Sequence, residues 1–91
     1  MSVKVMIPTA LRQFADNQDT MDMQAANVAE VFSQLGEQFP ELKKHLFDAD
    51  GNVRNFVSVF LNEDNIRDLQ NLETAVSDGD ELAIVPAVAG G

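Results

Sequence analysis

The chain has 91 residues, 45% of them hydrophobic and 23% charged, the make-up of one small globular domain with a single core. It holds no cysteine and one histidine, His45, so disulfides, thiolate metal sites and a cysteine nucleophile are excluded, and a histidine-based metal site or acid–base pair lacks its parts. Fifteen acidic against six basic residues give a net charge of −9, which argues against nucleic acid and favours a partner with a basic face.

In chain order, Val3, Val5 and Ile7 alternate with Lys4 and Met6, the pattern of a half-buried strand, and Pro8 ends it. A polar stretch containing Asp16–Asp19 comes next. Thr20–Gln24 reads as a second, weaker strand with Met21 and Met23 on one face, placed to form a hairpin with the first. Asn27 and Glu30 have the spacing of a capping box, and Val28, Val31, Phe32, Leu35 and Phe39 recur at three- and four-residue steps. This predicts the main helix, weakened at Gly36 and broken by Pro40. Pro40 suits the first position of a short second helix, 40–47, with Leu42, Leu46 and Phe47 inward.

Asp48–Asn52, DADGN, resembles the opening of a calcium loop. Counted from Asp48, however, the sixth position is Val53 where glycine is required, and the twelfth is Val59 where glutamate is required. The segment is therefore read as a turn. Arg54–Asn62 is the strongest strand signal, with Val57, Val59 and Leu61 on one face and Phe56, Ser58 and Phe60 on the other. A tight turn at 62–65 leads into a mixed segment of short strand and loop at 66–76. Ser77–Glu81 is a turn in which Gly79 is free to take positive φ, and ELAIVPAV is the last strand. The order is β-β-α-α-β-β-β. The helices lie between strands and must cross one face, so a mixed sheet is expected in a single domain, 1–91, with 86–91 as a flexible tail. No apolar run approaches membrane-spanning length and no basic stretch leads into an apolar one, so the expected location is cytoplasmic, with no membrane partner.

The opening VKVMIPTALRQF, the strand and turn FVSVFLNEDNIR, the turn SDGDEL and the ending IVPAVAGG occur in one order and spacing. Together they resemble the MoaD/ThiS family of ubiquitin-like sulfur carriers over essentially the whole chain. That resemblance implies an α+β fold, the β-grasp, with one main helix packed on one face of a mixed sheet. Within the family, PAVAGG and LNEDNIR look most like the CysO-type carriers of cysteine biosynthesis. The small subunit of molybdopterin synthase has a similar ending, and a ubiquitin-like protein modifier is a further alternative. The turn at 62–65 departs from relatives that use a glycine there; Asn65 tolerates left-handed backbone and is expected to preserve it.

The resemblance implies a carrier and co-substrate, not an enzyme. Its reactive group is the α-carboxylate of Gly91, adenylated by a ubiquitin-activating-type enzyme that uses ATP, then converted to a thiocarboxylate. No bound cofactor or metal is expected. The acceptor is either a PLP-dependent cysteine synthase or the large subunit of molybdopterin synthase. Chemistry supplies a reason for such a tail. A carboxylate is a poor electrophile, and adenylation gives it a leaving group. From Val85 the tail extends six residues, roughly 20 Å at about 3.3–3.6 Å each, enough to thread Val88, Ala89 and Gly90 into a narrow channel. The absence of Cβ atoms at the last two positions avoids clashes with its wall.

Strand alternation places Phe56, Phe60, Ala83 and Val85 on the sheet face away from the helix, an apolar patch leading to the tail, with Arg54 and Arg67 at its rim. The alternative is that segment 63–76 covers Phe56 or Phe60.

Overall fold

The computed structural model describes residues 2–54 and 57–86. Five strands form one sheet: β1 (Ser2–Met6), β2 (Thr20–Gln24), β3 (Val57–Leu61), β4 (Asp64–Asn65) and β5 (Glu81–Pro86). Their order is β2-β1-β5-β3-β4. β1 and β2 form the expected antiparallel hairpin, β3 runs antiparallel to both β4 and β5, and β1 pairs with β5 in parallel. The mixed sheet expected from the element order is thus present. Helices α1 (Val28–Gln38) and α2 (Pro40–Leu46) cross between the second and third strands.

Helix α1 starts where the capping box predicts. The N–H of Glu30 donates to Asn27 Oδ1 at 2.9 Å. The returning half is shifted by one residue: the Glu30 carboxylate accepts from the N–H of Ala26 at 2.9 Å. Asn27 lies opposite Ala75 in an isolated antiparallel bridge, which ties the helix entrance to the last loop. The helix buries Val28, Val31, Phe32 and Leu35, the predicted stripe, and Phe39 packs half-buried at its end. Pro40 is the first residue of α2, whose Leu42 and Leu46 are buried. The two helices approach closely at Gly36, where a Cβ would come within 2.6 Å of the Lys43 side chain.

Val3, Val5, Val57, Val59, Leu82 and Ile84 supply the sheet's half of the core and are all buried, as alternation requires. At about 1.5–3 kcal/mol for each fully buried aliphatic or aromatic side chain, this stripe-on-sheet contact is the main source of stability. The DADGN segment is a turn: Asp48 Oδ1 accepts from the N–H groups of Asp50 and Asn52, and Gly51 sits at φ 84°. In SDGDE, Gly79 has φ 89°, its N–H donates to the Ser2 carbonyl, and Asp78 accepts from the Ser2 N–H at 2.8 Å.

Three details differ from the sequence expectation. The polar stretch after Pro8 contains a 3-10 helix, Thr9–Phe14, which buries Leu11 and brings Phe14 into a stack with exposed His45 at 4.1 Å between ring centres. Segment 66–76 holds 3-10 turns at Ile66–Asp68 and Asn71–Glu73 in place of the expected short strand, and that strand is Asp64–Asn65 instead. The left-handed residue of the β3–β4 turn is Asn62, at φ 58°, while Asn65 has φ −69°. Asn62 is held there because its N–H donates to the Glu81 carbonyl and its side chain bonds both Glu81 and Asp80.

Two substitutions separate the contributions in urea unfolding. Asn27→Ala removes the cap and should cost about 1 kcal/mol. Leu35→Ala opens the fully enclosed centre of the core and should cost about 2–5 kcal/mol.

Candidate functional site

The side of the sheet away from the helices is organised by strand register. Thr20 faces Met6, Met6 faces Ala83, Ala83 faces Phe60, and Phe60 faces Asn65, so these five side chains form one row across all five strands. The three central members, Met6, Ala83 and Phe60, are apolar and half-buried. The next row along β5 contains Val85, 46% exposed, opposite Ser58. The preceding row is charged: Asp22, Lys4 and Glu81 lie side by side, with Asp80 bonded to Asn62 next to them. The face is therefore graded, acidic where β5 begins and apolar where it ends.

Of the predicted partner contacts, the structure brings Phe60, Ala83 and Val85 together on this face. Phe60 is absent from the side chains that pack on the core, in keeping with an outward position. Phe56 lies outside the described residues, as do Val88, Ala89, Gly90 and Gly91. Arg54 and Arg67 are not brought to the rim of this patch: Arg54 lies against the end of α2 and Arg67 lines a groove beside the inward-facing Val57 and Val59, each with its guanidinium on backbone carbonyls. Arg54 donates from Nε and Nη2 to the Lys44 carbonyl at 3.2 and 3.1 Å, and Arg67 donates from Nη2 to the Val57 carbonyl at 3.0 Å.

Sequence reasoning misses Met6 as a site residue. Its outward orientation comes from the alternation of β1, but its place beside Ala83 depends on the parallel β1–β5 pairing, which no local pattern announces.

β5 lies in the middle of the sheet, bonded on one side to β1 and on the other to β3. The chain beyond Pro86 therefore starts from the sheet's centre, next to Val85 and the apolar row, rather than from a loose edge. Among the described residues no three His, Cys, Asp or Glu side chains are grouped to hold a metal ion. A groove beside β3 is lined by Val53, Val57, Ile66, Arg67, Leu72 and Glu73.

Comparison with known proteins agrees with this architecture. The family model of the ThiS family matches residues 5–91. The sulfur carrier protein CysO of Mycobacterium tuberculosis is 34% identical over 93 residues, covering all of both chains. A putative sulfur carrier protein of Archaeoglobus fulgidus is 35% identical over 92 residues, again covering all of both. Among solved structures, the Amycolatopsis orientalis BexX/CysO complex contains a chain that superposes with a TM-score of 0.89 at 34% identity, covering 98% of this chain and 99% of that one. The β-grasp architecture expected from the sequence is thus the one observed, and this chain belongs to the ThiS family of ubiquitin-like sulfur carriers.

Proposed function

We propose that this protein carries sulfur on its C-terminal glycine for cysteine biosynthesis. The observation that carries this reading is the end-to-end match to CysO at 34% identity, with no part of either chain left over. In the first step a carboxylate oxygen of Gly91 attacks the α-phosphate of ATP on an adenylating enzyme, and pyrophosphate leaves. In the second, sulfide attacks the acyl carbon and AMP leaves, giving the thiocarboxylate directly; a persulfide donor would first give an acyl disulfide, which a thiol then reduces to the thiocarboxylate. Its sulfur is then the nucleophile delivered to an electrophilic amino-acid intermediate on a PLP-dependent enzyme. On this reading the reacting group is the C-terminal carboxylate, and the side chains of the domain take no chemical part in these steps. ATP is the adenylating enzyme's substrate.

The outer sheet face is the docking surface on this reading. Met6, Ala83, Phe60 and Val85 provide an apolar centre beside the tail, and aromatic residues are favoured anchors in such interfaces. Asp22, Glu81 and Asp80 make an acidic border that suits a partner with a basic rim. The relative from Amycolatopsis orientalis was solved in complex with BexX, which supports docking of a partner protein.

Incubation with ATP, sulfide and the adenylating enzyme should raise the intact mass by one oxygen-for-sulfur exchange, localised to the C-terminal peptide. A mass that stays unmodified under these conditions would sink the carrier role. The loaded protein, offered separately to a PLP-dependent sulfhydrylase and to a molybdopterin synthase large subunit, should gain a cysteine adduct on its C-terminal glycine with the first, free cysteine following once that acyl bond is hydrolysed; turnover by the second alone would move it to the molybdenum cofactor.

Phe60→Ala should raise the KM of the adenylating enzyme for the carrier about tenfold, with kcat little changed, because the lost contact is made before chemistry. Raising salt from low to physiological strength should lower association rates as the acidic border is screened.

A further inference from the structure

The N-terminal end of β3 is held in an unusual way. The N–H of Asn62 donates to the Glu81 carbonyl at 2.8 Å, which makes Leu61 and Leu82 a non-hydrogen-bonded pair. Alternation along the register gives the same status to Val59 with Ile84 and to Val57 with Pro86. Val57 therefore turns its N–H and C=O away from β5, towards the next position in the sheet. β4 occupies that position only opposite Phe60 and Leu61 and stops short of Val57. An exposed strand edge results, with one donor and one acceptor to satisfy.

The chain satisfies both. The Val57 N–H donates to the Arg54 carbonyl at 2.9 Å. Arg67 donates from Nη2 to the Val57 carbonyl at 3.0 Å and to the Arg54 carbonyl at 3.4 Å. Arg67 thus stands where a longer β4 would have run. It is placed there by Asn65, whose side chain accepts from the Arg67 N–H at 2.9 Å and starts the 3-10 turn directly after β4. Arg54 is anchored on its other side by the last turn of α2. Its N–H donates to the Leu46 carbonyl and its guanidinium to that of Lys44. One hydrogen-bonded chain therefore runs from α2 through Arg54 and Arg67 to Val57, the residue opposite the base of the C-terminal tail.

We propose that Arg67 is a positioning residue for the loading reaction: by replacing a missing strand it fixes the start of β3 against Pro86, so that a partner meets one arrangement of sheet face and tail base. A planar guanidinium suits the task because one nitrogen reaches two carbonyls while the rest of the group stays hydrated. The proposal rests on the carrier reading of the protein.

Wild type, Arg67→Ala and Arg67→Lys are compared by site-resolved amide hydrogen exchange on the free protein and by adenylation kinetics. In Arg67→Ala the Val57 amide should exchange about tenfold faster while those of Val31 and Leu35 keep wild-type rates. KM for the carrier should rise about tenfold with kcat within about twofold, and Arg67→Lys should recover part of both. A raised KM with unchanged Val57 exchange would make Arg67 a direct partner contact and overturn the proposal. An unchanged KM, or faster exchange spread over the whole domain, would overturn it as well. Should wild type fail to be adenylated, the carrier reading falls, and exchange at Val57 alone decides whether Arg67 braces the strand.

Discussion

The parallel pairing of β1 with β5 is the constraint on which the rest of this structure depends. Lys4, Val5 and Met6 lie beside Glu81, Leu82 and Ala83, so residues from opposite ends of the chain become neighbours at the centre of the sheet. This pairing closes a loop of nearly the whole chain, and its entropic cost is met only when both helices have packed across the same strands. The ladder also has a defined end. Two residues beyond Met6 and Ile84 the next donors would be the N–H groups of Pro8 and Pro86, and proline has none. The Pro8 carbonyl is taken instead by Leu11 as the chain turns into its 3-10 helix. The sheet thus grips β5 through Val85, which lies opposite Ser58.

With β5 central, the two faces of the sheet acquire different jobs from one alternating sequence. Leu82 and Ile84 are buried in the core, while Ala83 and Val85 face outward beside Met6, Phe60 and Ser58. A one-residue slip in register would exchange the two sets, exposing the core and burying the candidate docking surface, so the burial that stabilises the domain also fixes its outer face. The turns at both ends reinforce this register. Asn62 and Asp80 link the β3–β4 turn to the start of β5, and Asp78 holds the backbone of Ser2.

How much of this is legible in the sequence depends on how local each interaction is. The α1 stripe, the cap at Asn27, the proline start of α2 and the inward set Val57, Val59 and Leu61 depend on neighbours within a few residues, and all are legible. The return half of the capping box is misplaced because Asn27 is drawn opposite Ala75, a partner far away in sequence. The 3-10 turns escape because a single turn leaves no hydrophobic period to detect. Asn62 rather than Asn65 takes the left-handed conformation because Glu81 and Asp80 hold it there, a reason that exists only once β3 and β5 have paired. Met6 belongs to the outer row through the β1–β5 pairing, which is equally distant in sequence. Arg67 is the least legible residue of all: its role depends on β4 ending after two residues, and an arginine in a loop carries no sign of which backbone carbonyl it will meet.

The division of labour that results bears on how such a domain works. The described side chains form a core and an outer surface, and among them no three His, Cys, Asp or Glu residues are grouped to hold a metal ion. On the carrier reading, the chemistry then belongs to a terminus that emerges beside the apolar row, and partner enzymes must approach from that side to reach it. The face spans five strands set about 4.8 Å apart. If both partners dock on this face, loading and delivery would be separated, the enzyme that adenylates the tail having to leave before an acceptor could dock. An interface with a modest apolar centre and a screened acidic border favours that exchange, since it can associate quickly without binding so tightly that release becomes slow.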